Sequence, residues 1–167
     1  CTFFICYLLF TGYFSLLQAE KVKLTPLSAI VTRTVGHNEV KKQGKDKWQM
    51  LKTLEEILEG DIIKTGDNSE LEIFYKKSGT SIRLEEKTEV LVKKATLHEN
   101  EIIFEAYNFD LKQGDMLSKF IDKYKSKSKF DIATPVVSCS VRGTLFLVSA
   151  EKPEESTVSV FEGEVQA

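Results

Sequence analysis

The tightest constraint on this fold is an apolar alternation of period two. Leu71, Ile73 and Tyr75 alternate with Glu70, Glu72 and Lys76, and Ile82 and Leu84 flank Arg83. Successive strand residues face opposite sides of a sheet, so this spacing gives each strand one apolar and one wet face. Residues 28–35 are rich in β-branched side chains and stop at Gly36. Val90-Leu91-Val92 and Ile102-Ile103-Phe104 bracket Leu97-His98-Glu99-Asn100, where a hairpin tip is expected. Further strands are expected over 136–140, 144–150 and 157–161. Short punctuators separate the runs: residues 64–68, Ser78-Gly79, Gln113-Gly114-Asp115 and Glu162-Gly163. Helical spacing is confined to residues 49–59, where one short turn fits, and residues 116–124 fit either state. Many short strands without alternating helices predict an all-β chain with a single β-rich domain over 28–167, as a β-roll, a β-helix-like coil, a barrel or a sandwich.

Composition separates that domain from a leader. The 23 Lys and Arg and the 25 Asp and Glu all lie after residue 19. Residues 1–19 are uncharged, with an apolar heart from Phe3 to Phe10, and read as an N-terminal hydrophobic helix. Two readings fit: the h-region of a signal peptide, or a membrane anchor. Thr11, Gly12 and Ser15 dilute the run, which is short for a span of about 20 residues. Ala19 ahead of charged Glu20 and Lys21 suits cleavage, while Leu17 departs from the small-x-small pattern and keeps the anchor open. No initiator Met and no positive n-region precede Cys1, so upstream sequence is expected. Either reading exports the body to the periplasm, the outer surface or the membrane face of a bacterial envelope. An apolar share of 42% supports one packed core and excludes wholesale disorder. A net charge of -2 argues against a dedicated nucleic-acid binder. Cys139 is alone in the body, so no internal disulfide is available there.

Three phrases carry a resemblance. They are Gly60-Asp61-Ile62-Ile63-Lys64-Thr65-Gly66; Ser78-Gly79-Thr80-Ser81-Ile82-Arg83-Leu84; and Ala133-Thr134-Pro135 followed by Val141-Arg142-Gly143-Thr144-Leu145-Phe146, then Val158 to Val165 around Gly163. In this order, with Trp48 and Leu51 ahead of them, they resemble the FecR domain, named for the periplasmic regulator of ferric citrate uptake. The resemblance implies an exported, sensor-like β domain and marks as structural motif Gly60, Asp61, Thr65, Gly66, Gly79, Gly114, Thr134, Pro135, Arg142, Gly143, Thr144, Phe146 and Gly163. A regulator of the ferric-citrate type carries a cytoplasmic sigma-binding segment before its membrane span. Here the apolar run begins at once, so the sensor domain is expected to carry over and the sigma-factor role is not. Family turns often read Asp-Gly-Ser where this chain has Ser78-Gly79-Thr80, which takes a carboxylate from that corner.

Read as chemistry, these residues are structural. Gly60, Gly66, Gly79, Gly143 and Gly163 suit positive φ or close backbone approach. Asp61 and Asp115 are expected to bond nearby amides. Pro135 suits the start of a strand. Arg142 is expected to be partly buried and paired with a carboxylate such as Asp61 or Asp115, with a ligand-binding role as the sharper alternative. Val141, Phe146, Val148, Val158 and Val160 read as core. His37 and His98 fall in turn-like surroundings and read as surface residues, and Cys139 as a small buried thiol. Glu55-Glu56 and Glu85-Glu86 are adjacent pairs that point apart in a strand. No zinc spacing, nucleophile elbow, phosphate loop or dinucleotide motif occurs. The expectation is therefore no enzyme, no cofactor and no metal site.

The segment 119–129 stands apart with Lys119, Lys123, Lys125, Lys127 and Lys129. A solvated loop, a contact for an anionic envelope surface and lysines blunting an edge strand all fit it. Two function classes stay open. One is a non-enzymatic binding and sensing module of envelope signal transduction, meeting an envelope protein or receptor. The other is a structural or adhesive envelope protein that uses the lysine segment. Neither needs nucleic acid, and membrane contact is expected only through the N-terminal segment. The oligomeric state stays open.

Overall fold

The computed structural model describes residues 23–99, 103–122, 124, 128–152 and 154–166. Within them the chain is all-β. Thirteen strands belong to one sheet: β1 (Lys23–Pro26), β2 (Ala29–Val35), β3 (Asn38–Lys41), β4 (Trp48–Met50), β5 (Glu56–Ile57), β6 (Ile62–Thr65), β7 (Glu70–Tyr75), β8 (Thr80–Leu84), β9 (Glu89–Glu99), β10 (Phe104–Phe120), β11 (Lys129–Ala133), β12 (Ser138–Lys152) and β13 (Glu155–Gln166). No described helix is long and apolar enough to cross a membrane. The hydrophobic helix expected over 1–19 lies outside the described residues.

Connectivity forces the sheet to curl. Its main path runs β4-β3-β6-β9-β10-β8-β7-β2-β5. Yet β2 and β3, near opposite ends of that path, are joined through only Gly36 and His37. The two ends must therefore meet, and buried Asn38 pins them. Its Nδ2 donates to Thr34 Oγ1 at 2.9 Å, to Val35 O at 2.9 Å and to Glu70 O of β7 at 3.0 Å. Residues 51–55, which link β4 to β5, close the same seam: Leu51 N–H donates to Asn38 O at 2.8 Å and Leu54 N–H to Val31 O at 2.8 Å.

β10 is the spine. Residues 104–113 pair with β9, residues 116–119 with β8, residues 114–120 with β12, and residues 106–110 run parallel to β11. The strand bends at Gly114, whose φ of 86° few side chains tolerate. A Cβ there would sit 2.5 Å from Thr88 Cα. The bend returns Phe120 to Tyr107, with ring centroids 5.9 Å apart. Phe130 of β11 then packs against Tyr107, Phe109, Phe120 and Phe146 at 5.2–5.6 Å. The inward positions of the strands, among them Val31, Val40, Ile63, Leu71, Ile73, Ile82, Leu84, Val90, Leu111 and Val148, complete one continuous core.

Several expectations change. The helical spacing over 49–59 belongs to β4, a turn and β5, because Leu51 and Ile57 point inward while Met50, Leu54 and Leu58 are exposed. Leu97, His98 and Glu99 are strand residues of β9, and Asn100 lies outside the described residues. Residues 116–120 are strand, and the two strands expected over 136–150 are one, β12, bulged near Leu145. Gln113-Gly114-Asp115 and Glu162-Gly163 lie inside β10 and β13 and do not end strands. Val160 is exposed, whereas Val141, Phe146 and Val148 are buried and Val158 packs on the core.

Candidate functional site

Several of the motif residues lie at corners of the roll, and Asp61 organises the first. Gly60, with φ 87°, turns the chain so that its N–H reaches Val92 O at 2.7 Å. That places the Asp61 carboxylate inside, 2% exposed. Its Oδ1 accepts Gln43 N–H at 3.1 Å, and its Oδ2 accepts Leu58 N–H at 3.0 Å and the Lys42 ammonium at 3.0 Å. Lys42 also donates to Glu56 O. A carboxylate so held is compensated for its lost water by charge-assisted bonds, and it joins residues 42–43 to the β5–β6 turn. Lys42 is the cation described against Asp61, and the Arg142 side chain, expected to meet Asp61 or Asp115, lies outside the described residues.

A second corner runs through Thr65. Its hydroxyl donates to Glu85 O at 2.6 Å and accepts Thr88 N–H at 2.8 Å. Thr88 Oγ1 in turn accepts Asp115 N–H at 2.9 Å. Thr65 and Gly114, far apart in sequence, are therefore joined through Thr88, which carries no sequence motif. Asp115 enters through its backbone, and its Oδ1 is buried with no hydrogen-bond partner among the described residues. Gly66 keeps negative φ and serves close approach, since a Cβ would lie 3.0 Å from His37 O, the acceptor of its own N–H.

At the β7–β8 hairpin Ser78 replaces the missing carboxylate. Its Oγ accepts Thr80 N–H at 3.0 Å, and Gly79 N–H returns to Tyr75 O at 2.8 Å. Thr134 closes the β11–β12 connection through its N–H to Val137 O at 2.8 Å and its Oγ1 from Val137 N–H at 3.0 Å. Pro135 sits inside that turn and not at a strand start, where its fixed φ serves the bend. Ser156 of β13 donates to Thr134 Oγ1 at 2.8 Å. Gly143 and Thr144 continue β12, and Gly163 continues β13.

A scan against family profiles matches the FecR protein family over residues 61–166. The chain belongs to the FecR protein family. That is a family of regulatory sensors in signal transduction, typically associated with the cell envelope. No curated protein and no solved structure matches the chain. Strands β1–β5 precede the FecR match, yet β2 pairs with β7 and β3 with β6 inside it.

Cys139, His98 and His37 of this FecR protein lie on β12, on β9 and in the β2–β3 turn. Cys139 is buried, its Sγ 3.7 Å from Ile132 O, and burial, then the nearby Asp131 charge, push its thiol up. Such a thiol resists forming the nucleophilic thiolate. His98 is a β9 residue, not a turn residue. It stacks on Phe104 at 4.1 Å, and burial, then Lys94, push its pKa down. His37 is exposed beside Glu39. Of the lysine segment, Lys119 and Lys129 stand exposed at the end of β10 and the start of β11, and Lys123, Lys125 and Lys127 lie outside the described residues.

With the corners committed to the fold, the free surfaces are edges. Among the described residues β13 pairs with β12 alone. Opposite Leu145 and Phe146 it holds one extra residue: Glu162 faces Leu145 and Val160 faces Phe146, so Phe161 is the bulge. Bulges at a sheet edge re-aim side chains. Here Val160 and Phe161 are 42% and 62% exposed, flanked by exposed Glu154, Glu155 and Glu162.

Proposed function

We propose that this FecR protein is a non-enzymatic, exported sensing and binding module of envelope signal transduction, and that β13 is the edge through which it meets an envelope protein. The observation that carries the reading is the bulged Val160-Phe161 pair on a strand with one paired side. An edge strand with free N–H and C=O groups is a template for an added strand, and an exposed aromatic supplies the anchoring contact. The flanking glutamates suit a partner segment with basic residues around an apolar one. Export rests on the uncharged leader, and family membership supports the regulatory role.

The test places a photo-reactive amino acid at position 161 in the full chain in cells, with position 52 as the control surface. A discrete protein adduct from 161, absent from 52 and lost on Glu162→Lys, is expected. No adduct from 161 across growth phases, or the same adducts from both positions, would sink the reading.

A further inference from the structure

A second surface lies on the opposite arm of the strand order. Among the described residues β4 pairs with β3 alone, and it carries the one tryptophan of the chain. Trp48 stands opposite Lys41, and Lys41 opposite Ile62 of β6; the next row reads Met50, Glu39, Lys64. Val40 and Ile63 take the core side, so Trp48, Met50, Lys41 and Lys64 share the outer face. The indole is 36% exposed, with Lys41 Nζ 5.4 Å and Lys64 Nζ 6.0 Å from its ring centroid. Exposed Lys45 and Lys47 sit in the loop that leads into β4. The nearby carboxylates are Asp46 in that loop, Glu39, which lies 3.5 Å from His37, and Glu89 opposite Lys64.

We propose that this face binds an acidic polysaccharide segment, with one sugar ring stacked on Trp48 and neighbouring carboxylates taken by Lys41, Lys64 and the loop lysines. The family match includes Lys64 but not Lys41, Lys45, Lys47 or Trp48, and the β13 reading does not touch this face. The two chemistries required are present together. A sugar ring has a flat C–H face that suits a half-exposed indole, and its rim of hydroxyls stays wet. Lysine ammoniums act as mobile point charges, suited to carboxylates whose spacing varies along a polymer. The geometry is elongated: Trp48, Lys41 and Lys64 occupy three adjacent strands about 4.8 Å apart, a track and not a pit.

Competing occupants fit less well. A lipid surface needs apolar groups that project clear of their surroundings. The Trp48 ring is two-thirds covered and has ammonium groups beside it. A protein anchor is normally ringed by groups that exclude water, and here the ring is bordered by cations and an open strand.

Because Trp48 is the sole indole, its fluorescence reports on this face alone. The intact protein is titrated with polygalacturonate oligomers, with neutral dextran of equal length, and with phosphatidylglycerol vesicles. A saturating change with polygalacturonate and none with dextran is expected. Raising the salt from 50 to 500 mM should weaken it, and Lys41→Gln/Lys64→Gln should weaken it about tenfold or more. That variant keeps Trp48, and an unchanged thermal melt shows that it folds. In case it fails to fold, Lys45→Gln/Lys47→Gln, on the exposed loop, provides a second reading and should weaken binding severalfold. No response to polygalacturonate, an equal response to dextran, or a response to vesicles alone overturns the proposal.

Discussion

The Asp61 corner and the aromatic end of the core solve the same burial problem in opposite ways. At the corner a carboxylate is taken from water and surrounded by donors: two backbone amides and the Lys42 ammonium. At the aromatic end Tyr107, Phe109, Phe120 and Phe146 surround Phe130 with apolar surface. Several hydroxyls there, those of Tyr75, Thr80 and Ser118, are buried with no partner among the described residues. Directional bonds fix where the chain turns, and non-directional area supplies most of the cohesion. A roll whose strands are long and whose corners are tight needs both, in different places.

If that division is right, the largest loss of stability comes from the aromatic end. Phe130 is fully buried and touches four other rings. Phe130→Ala removes that area and leaves a cavity that packed neighbours fill only in part. The expected cost is about 3–5 kcal/mol, read from urea unfolding followed by circular dichroism. A cost below about 1 kcal/mol would show that this end is loosely packed and would reverse the comparison.

Asp61→Asn probes the other region and should cost less, about 2–3 kcal/mol. It keeps the shape but removes the charge that compensates Lys42, and it replaces one acceptor oxygen with an NH2 donor that faces other donors. Lys42→Met should recover part of the loss when combined with Asp61→Asn, because the uncompensated ammonium is then gone as well. Simple additivity of the two changes in denaturant unfolding would contradict direct coupling.

The same contrast explains what could be read from the sequence. Period-two alternation at Leu71, Ile73, Tyr75, Ile82 and Leu84 is local, so β7 and β8 were legible, as were the turns at Gly60-Asp61 and Ser78-Gly79. The partner of Asp61 was not legible. Lys42 is 19 positions away, and nothing in Lys41-Lys42-Gln43 marks one lysine as the inward one. Thr88 was hidden for the same reason, since its hydroxyl serves Asp115, 27 positions on. Gly114 carried the right signal with the wrong outcome: positive φ permits a bend inside a strand as readily as a turn between two. The helical spacing over 49–59 failed because exposed Leu54 and Leu58 counted as core.

The smallest expected effect sharpens the comparison most. The Tyr75 hydroxyl is buried, its pKa pushed well above the ordinary range by burial, then by Tyr107 and by Asp61, and it has no hydrogen-bond partner among the described residues. Its ring still packs edge-on against Tyr107 at 5.0 Å. Tyr75→Phe keeps the ring and removes only an uncompensated polar atom, so stability should stay within about 0.5 kcal/mol or rise by up to about 1 kcal/mol. Tyr107→Phe is the matched control. That hydroxyl donates to Glu105 Oε2 at 3.4 Å, and its removal should cost about 1–2 kcal/mol. Urea midpoints at constant m-value separate the two. A loss at Tyr75 as large as that at Tyr107 would mean that the Tyr75 hydroxyl is satisfied after all, and that the aromatic end, like the Asp61 corner, is held by directional bonds.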